Sequence, residues 1–274
     1  MAPLPRGALE GPMGVIVAIV NNKGGVGKTT AACNLAHALG LLGKRVLVVD
    51  LDPQCNATSL LLSNRLDRQH SLYDLLAHDT LGFPLTRAIY PSQYEGVSCL
   101  PNVPETAALE PEMIMSAPAS LSRLRRHLRH YALRHFDLVI IDNPPNLGSF
   151  VICALNTADF ALVPVKAGSA FSVSGLLQAV RLINEVRVEA NKDLRDLRLL
   201  INQVDKRTLI SRTLTEQIFK AFGEDQIFKT FIPGNTAFEQ AEATGATIFR
   251  WNANAPGARA YRELAQELLD IFAG

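Results

Sequence analysis

The sequence predicts an α/β fold, a doubly wound, mostly parallel twisted sheet flanked by helices. Three observations carry that expectation. Short uncharged runs rich in β-branched residues recur along the chain, as strands buried on both faces require. Segments with helical spacing of apolar residues alternate with them, which is the pattern of βαβ units. The first run opens into a segment, Asn21 to Gly27, that holds three glycines and leads directly into a helix. The 274 residues are 48% hydrophobic and 19% charged, enough to bury a sizeable core and too apolar for a disordered chain.

The elements follow in order. Val15 to Val20 is the first strand. From Thr29 to Leu42, the residues Ala31, Ala32, Leu35, Ala36, Leu39 and Leu42 give a helix face, and Gly43 suits its stop. Arg45 to Asp50 reads as the second strand. Residues 79 to 118 are proline-rich and carry a strand near Val97 to Leu100. Ser120 to His135 reads as a helix and Asp137 to Asp142 as a buried strand. Ala161 to Val165 and Leu197 to Asn202 are further strands, each followed by a helix, Gly175 to Val188 and Leu209 to Phe222. Thr230 to Pro233 is expected as a short last strand, and Ala258 to Phe272 as the closing helix. Residues 1–13, with their prolines and glycines, read as a flexible arm in which Met13 is an alternative start. Residues 14–274 read as a single domain, since no repeat or linker divides them.

Charge and cysteine usage narrow the function classes. Lys and Arg total 27 against 26 Asp and Glu, so no global field draws the chain to nucleic acid, and any such binding needs a local patch. The four cysteines, Cys33, Cys55, Cys99 and Cys153, are widely spaced without a CxxC, which excludes metal-ligand spacing and disfavours a disulfide scaffold. No uncharged apolar run reaches the roughly 18 residues of a membrane span, and no signal-peptide core is seen, so a cytoplasmic location is expected.

The glycine segment ends in Gly27-Lys28-Thr29, a variant of the phosphate-binding P-loop, with Asn22 where the usual spacing has its first glycine. Glycines let successive backbone N–H groups turn towards phosphate oxygens, and the following helix adds the positive end of its dipole. Lys28 can reach the β- and γ-phosphates, and the Thr29 hydroxyl can sit on Mg²⁺. Lys23 is a second cation that an ordinary P-loop does not need. Asp50 and Asp52 alternate at the end of the second strand, with both carboxylates towards the carboxyl edge of the sheet where ligands bind. Two close carboxylates fit a Mg²⁺ site, while for Asp50 the capping of the adjoining turn is the competing reading. Asp142 ends a buried strand in a Walker B arrangement that suits Mg²⁺ held through water.

Lys23-Gly24-Gly25-Val26-Gly27-Lys28-Thr29-Thr30 resembles the deviant Walker A motif of the ParA/MinD superfamily of ATPases. The resemblance implies ATP and Mg²⁺ as cofactors and an ATP-bound homodimer in which Lys23 crosses to the partner's nucleotide. Val49 to Gln54 resembles switch I, which gives Asp52 the orientation of the attacking water and Asp50 the outer shell of the metal. Asn143 to Gly148 resembles switch II, with Asn146 in place of the usual serine. No glutamate follows Asp142, which implies slow, partner-stimulated hydrolysis. Leu200 to Thr208 and Ile232 to Asn235 resemble the segments that supply the adenine site, through Asn202 and the backbone at Pro233. The resemblance runs from residue 14 to 272.

Within the superfamily the sequence is similar to the small ParA/Soj type. The segment from Ala260 to Gly274 has Arg262 against Glu263, Glu267 and Asp270, the wrong sign for a MinD-like membrane helix, so no membrane is expected. Cys153 sits eleven residues past Asp142 in an apolar run and reads as core rather than as a cluster ligand. Thirteen residues before the domain are too few for the helix-turn-helix domain of large plasmid ParA proteins. The resemblance then implies a segregating or positioning ATPase for DNA or a protein cargo, whose dimer binds DNA without sequence preference and is released by a ParB-like activator. Arg207 matches one DNA-contact position of the family, and Gly234 removes another, for which Lys206, Arg212, Lys220, Lys229, Arg250 and Arg259 could compensate. The alternative is an ATP switch that acts on a protein partner without DNA. The arginines of Ser122 to His135 suit either a basic contact surface or, as the reading favoured here, a solvated face.

Overall fold

The computed structural model describes residues 14–62, 69–77, 84–167, 172–205 and 208–273; the N-terminal arm, Lys206 and Arg207 lie outside the described residues. Seven strands form one sheet in the order β3-β4-β2-β5-β1-β6-β7. They are β1 (Val15–Ile19), β2 (Val46–Asp50), β3 (Tyr90–Pro91), β4 (Val97–Leu100), β5 (Leu138–Asp142), β6 (Phe160–Lys166) and β7 (Asp196–Asn202). All pair in parallel except the short edge strand β3, which runs antiparallel to β4.

Alternation explains the continuous apolar strands. Ile16 and Ala18 of β1 enter one hydrophobic layer, and Val17 and Ile19 enter the other. The second layer is covered by α1 (Lys28–Leu41), α2 (Asn56–Leu61), α10 (Ile248–Asn252) and α11 (Pro256–Ala273). The first is covered by α3 (Leu72–Ala77), α4 (Glu110–Met115), α5 (His130–His135), α6 (Ser149–Thr157), α7 (Ser172–Glu189) and α8 (Leu209–Phe222). The remaining helix, α9 (Thr236–Ala243), starts where the Asn235 side chain accepts the Ala237 N–H at 2.9 Å.

Two expectations change. Thr230 to Pro233 forms no strand, only an isolated bridge between Val204 and Pro233. The Lys229 and Thr230 N–H groups donate instead to the Glu267 carboxylate of α11, at 2.7 and 2.9 Å, and Pro233 has no N–H to give. The arginine-rich segment is helical, but it passes through a 3₁₀ turn at Ser120–Ser122 and a π turn at Arg125–Arg129 before α5. Its arginines do not form a single solvated or docking face. Arg123 is 7% exposed and donates to the Leu76 carbonyl at 2.9 Å. Arg125 and Arg129 donate to the carbonyls of Asn156 and Thr157, at 2.8 and 2.7 Å, the unpaired acceptors at the end of α6. Each also pairs with a carboxylate, Arg125 with Asp193 and Arg129 with Asp159.

Candidate nucleotide site

The register of the central strands builds the site. Asp142 of β5 lies directly beside Ile19 of β1 on one side and Asp50 of β2 on the other. The glycine loop thus leaves β1 at the same carboxyl edge where both aspartates end their strands. Asn21 fixes its first turn, since the buried amide donates to the Pro164 carbonyl at 2.8 Å and accepts the Lys23 N–H at 3.0 Å. Asn22, in the place of a glycine, donates to Gln178 of α7 at 2.9 Å. Gly25 and Gly27 have φ of 72° and 85°, the left-handed region that a side chain disfavours. Val26 is buried, so it presents only its backbone.

The loop is held from behind by β7. The Asn202 amide donates to the Val26 carbonyl at 2.7 Å and accepts the Gln203 N–H at 2.9 Å. The Gln203 side chain donates to the Gly25 carbonyl at 3.3 Å. Both ends of the Asn202 amide are therefore engaged within the chain, which makes it a clamp on the loop. Sequence reasoning did not single out Gln203; a polar pair at the carboxyl end of a buried strand was the available signal.

Lys28 opens α1, is 7% exposed and donates to the Lys23 carbonyl at 3.2 Å. Burial lowers its pKa, against the pull of Asp142 and Asp52. Lys23 and Thr29 are half-buried on the same loop. The three aspartates have different surroundings. Asp50 is fully buried, and its carboxylate accepts the Thr58 N–H and hydroxyl at 2.8 and 2.6 Å and the Asp52 N–H at 3.2 Å. It therefore caps the first turn of α2 as well as facing the site. Asp52 accepts the Gln54 N–H at 3.0 Å and lines the cavity above the loop. Asp142 is fully buried and neither oxygen has a hydrogen-bond partner among the described residues. Burial raises its pKa, Asp50 raises it further, and the Thr29 hydroxyl draws it back without reaching hydrogen-bond geometry. Burial likewise raises Asp50.

An orphaned, buried carboxylate beside a lysine and a threonine hydroxyl fits a hydrated Mg²⁺ on a phosphate chain. Such a cation needs one or two carboxylates plus phosphate oxygens and water rather than a closed protein cage. Consistent with that, no cluster of three or more His, Cys, Asp or Glu side chains with metal-holding geometry occurs among the described residues. A cavity of about 480 Å³ lies over Gly24, Lys28, Thr29 and Asp52. A second, of about 430 Å³, continues past Gly27 and Thr30 to Asn202, Asn235, Phe238 and Tyr261. Together they give a polar phosphate end and a longer base end. Pro233 lines neither; it borders a neighbouring cavity with Lys229 and Arg259, and the residues that follow it, Gly234 and Asn235, reach the base end. Pro145 of switch II closes the phosphate end. Behind it, Glu110 accepts the Ser149 N–H at 3.1 Å and caps α6.

The AAA domain family matches residues 14–196. The chain is 40% identical over 253 residues to the chromosome-partitioning ATPase Soj of Thermus thermophilus, covering 92% of this chain and 94% of that protein. It is 35% identical over 256 residues to the sporulation initiation inhibitor protein Soj of Bacillus subtilis, covering 93% and 98%. Among solved structures, cobyrinic acid a,c-diamide synthase from Mycobacterium smegmatis, with bound ADP and magnesium, superposes with a TM-score of 0.79 at 30% identity over 96% of each chain. Loop, strand-end aspartates and overall similarity agree, and the chain belongs to the ParA/MinD superfamily of P-loop ATPases, in its ParA/Soj partitioning branch.

Proposed function

We propose that this ParA-type partitioning ATPase works as an ATP-dependent dimer that positions DNA or a protein cargo. The observation that carries the ATPase reading is Asp142, buried and unpaired beneath the glycine loop beside Lys28 and Thr29. ATP and Mg²⁺ are the cofactors that fit it; Mg²⁺, when bound, would supply charge neutralisation at the phosphates. Thr29 and Asp142 would hold the metal, with Asp50 behind them as an outer-shell partner anchored to Thr58. Lys28 and the backbone of Gly24 to Thr30 bind the phosphates. Asp52, lining the phosphate cavity, orients the attacking water. Residues 14–274 act as one ATPase domain.

The finer reading adds three parts. Lys23, half-buried on the glycine loop, completes the partner subunit's site on dimerisation. The dimer binds DNA nonspecifically through Arg207 and neighbouring cations, a salt-sensitive neutralisation of phosphates that places the protein on the nucleoid. A ParB-like activator then stimulates hydrolysis and release. No helix among the described residues is long and apolar enough to cross a membrane. Gly234 and the acidic Glu239 and Glu242 of α9 favour a second reading, an ATP switch on a protein partner without DNA.

Light scattering tests the dimer. Wild type should double in mass with ATP, and Lys23→Ala should bind ATP yet stay monomeric; an unaltered ATP-dependent dimer in that variant would remove the role. Anisotropy of random duplex at several salt concentrations tests the track. Binding is expected with ATP and not ADP, weakened by Arg207→Glu, with the log–log salt slope falling by roughly 0.9 per lost contact. No binding even at low salt would replace the DNA reading with the protein switch.

A further inference from the structure

The phosphate cavity and the base cavity meet at a shared wall that consists of Gly25, Gly27, Thr30 and Glu242. Glu242 is its only charged side chain among the described residues. In the structure the Glu242 carboxylate accepts the Thr30 hydroxyl, across 212 positions of sequence, so α9 and α1 are joined at this point. A second orphan lies alongside. Tyr261 is fully buried in the wall of the base cavity, and its hydroxyl has no hydrogen-bond partner among the described residues. Burial and then the nearby Glu242 hold that phenol protonated, so it remains a donor.

A nucleotide threaded through both cavities puts its sugar at their junction. A carboxylate there repels phosphate oxygens but accepts hydrogen bonds from hydroxyl groups. We propose that Glu242 is a ribose-reading residue, which leaves Thr30 to accept the 2′- and 3′-hydroxyls and so selects ribonucleotides over deoxyribonucleotides. In the exchange Glu242 gives up the Thr30 hydroxyl for the ribose hydroxyls, and the Thr30 hydroxyl is freed to donate to phosphate. Tyr261 lines the same base cavity as Glu242, with a phenol free to donate there. The inference rests on the adenine-nucleotide reading given above.

The test is titration calorimetry of wild type, Glu242→Ala and Glu242→Gln with ADP, 2′-deoxy-ADP and 3′-deoxy-ADP, all with Mg²⁺. Loss of one hydroxyl–carboxylate bond should weaken wild-type binding about tenfold for at least one deoxy analogue. Glu242→Ala should bring that ratio close to one, and Glu242→Gln should leave it intermediate, since an amide oxygen still accepts. A wild type that binds ADP and both deoxy analogues equally overturns the proposal. So does a Glu242→Ala variant that keeps the wild-type ratio, even if it binds all three more tightly because Thr30 is released. A wild type that binds no ADP at all would instead defeat the nucleotide reading, and this inference with it.

Discussion

Two polar clusters of this molecule look alike in sequence and differ in what their atoms do. The arginine-rich segment before β5 carries a dense run of cations, yet its inward arginines are saturated. Arg129 reaches the Thr157 carbonyl at 2.7 Å and Asp159 at 2.5 Å, while Asp159 also accepts the Ile16 N–H at 2.8 Å. Asn191 closes the same end of α6 by donating to the Leu155 and Ala158 carbonyls, both at 2.7 Å. At the edge formed by β2, β5 and the glycine loop, neither oxygen of Asp142 has a hydrogen-bond partner among the described residues. A buried carboxylate with neither oxygen paired costs free energy that a bound cation removes. The tie keeps one orphaned atom of its own, Asn156 Oδ1, but its inward arginines and their carboxylates are paired, whereas at the ligand edge a buried carboxylate has both oxygens unsatisfied among the described residues.

The comparison can be broken or sharpened by mutation. Lys28→Ala should have the largest effect, a loss of more than about 100-fold in ATP affinity by calorimetry, because it removes a buried cation from the phosphate position. Wild-type affinity in that variant would remove the site. Next, Arg129→Ala should lower the unfolding free energy by about 2–4 kcal/mol in urea titrations, since it strands Asp159 and the Thr157 carbonyl. Nucleotide affinity of the folded fraction should stay near wild type; a large drop there would show that the arginine cluster serves the site after all. Asn202→Ala should weaken nucleotide binding by about fivefold to tenfold through the loosened loop, and should lower stability by about 1–3 kcal/mol because it strands the Val26 carbonyl. The smallest effect is expected at Arg45, whose bond to Asp137 at 2.8 Å is largely exposed. Arg45→Ala should cost under about 1 kcal/mol. Partial burial raises the Asp137 carboxyl, and the hydrogen bonds from Arg45 more than reverse that, so its folded pKa lies below the usual carboxylate range. The pair therefore contributes above the unfolded pKa of about 3.9 and loses its contribution as pH falls through the lowered value. Wild type and Arg45→Ala should accordingly converge in stability as pH falls below that lowered value.

Much of this was legible in the sequence for local reasons. The central strands are apolar on both faces, and the glycine loop, Lys28 and Asp142 are defined by short-range spacing. Asp50 was read with its two alternatives open, and it does the capping that one of them required, because Thr58 is only eight residues away and presents both an N–H and a hydroxyl. What escaped depends on long-range partners. The arginines of residues 123 to 129 could not be assigned without knowing that the end of α6 lies beneath them. Glu242 meets Thr30 and Gln203 meets Gly25 only once the sheet is wound. The expected strand at Thr230 to Pro233 is cut to a bridge because a glutamate of α11, 37 residues on from Thr230, claims the Thr230 N–H and leaves only Ile232 to donate to β7.

The most direct test of the contrast is titration of ATP, with Mg²⁺ and with a chelator, into wild type, Asp142→Asn and Arg129→Ala. The expected result is a Mg²⁺-dependent gain in affinity for wild type and Arg129→Ala that is lost in Asp142→Asn. The ligand-free Asp142→Asn protein should also melt higher, since an unpaired buried carboxyl has been replaced by a neutral amide. An Asp142→Asn protein that keeps the full Mg²⁺-dependent gain, or an Arg129→Ala protein that loses it, would contradict the assignment of the orphaned aspartate to the metal and of the saturated arginines to the fold.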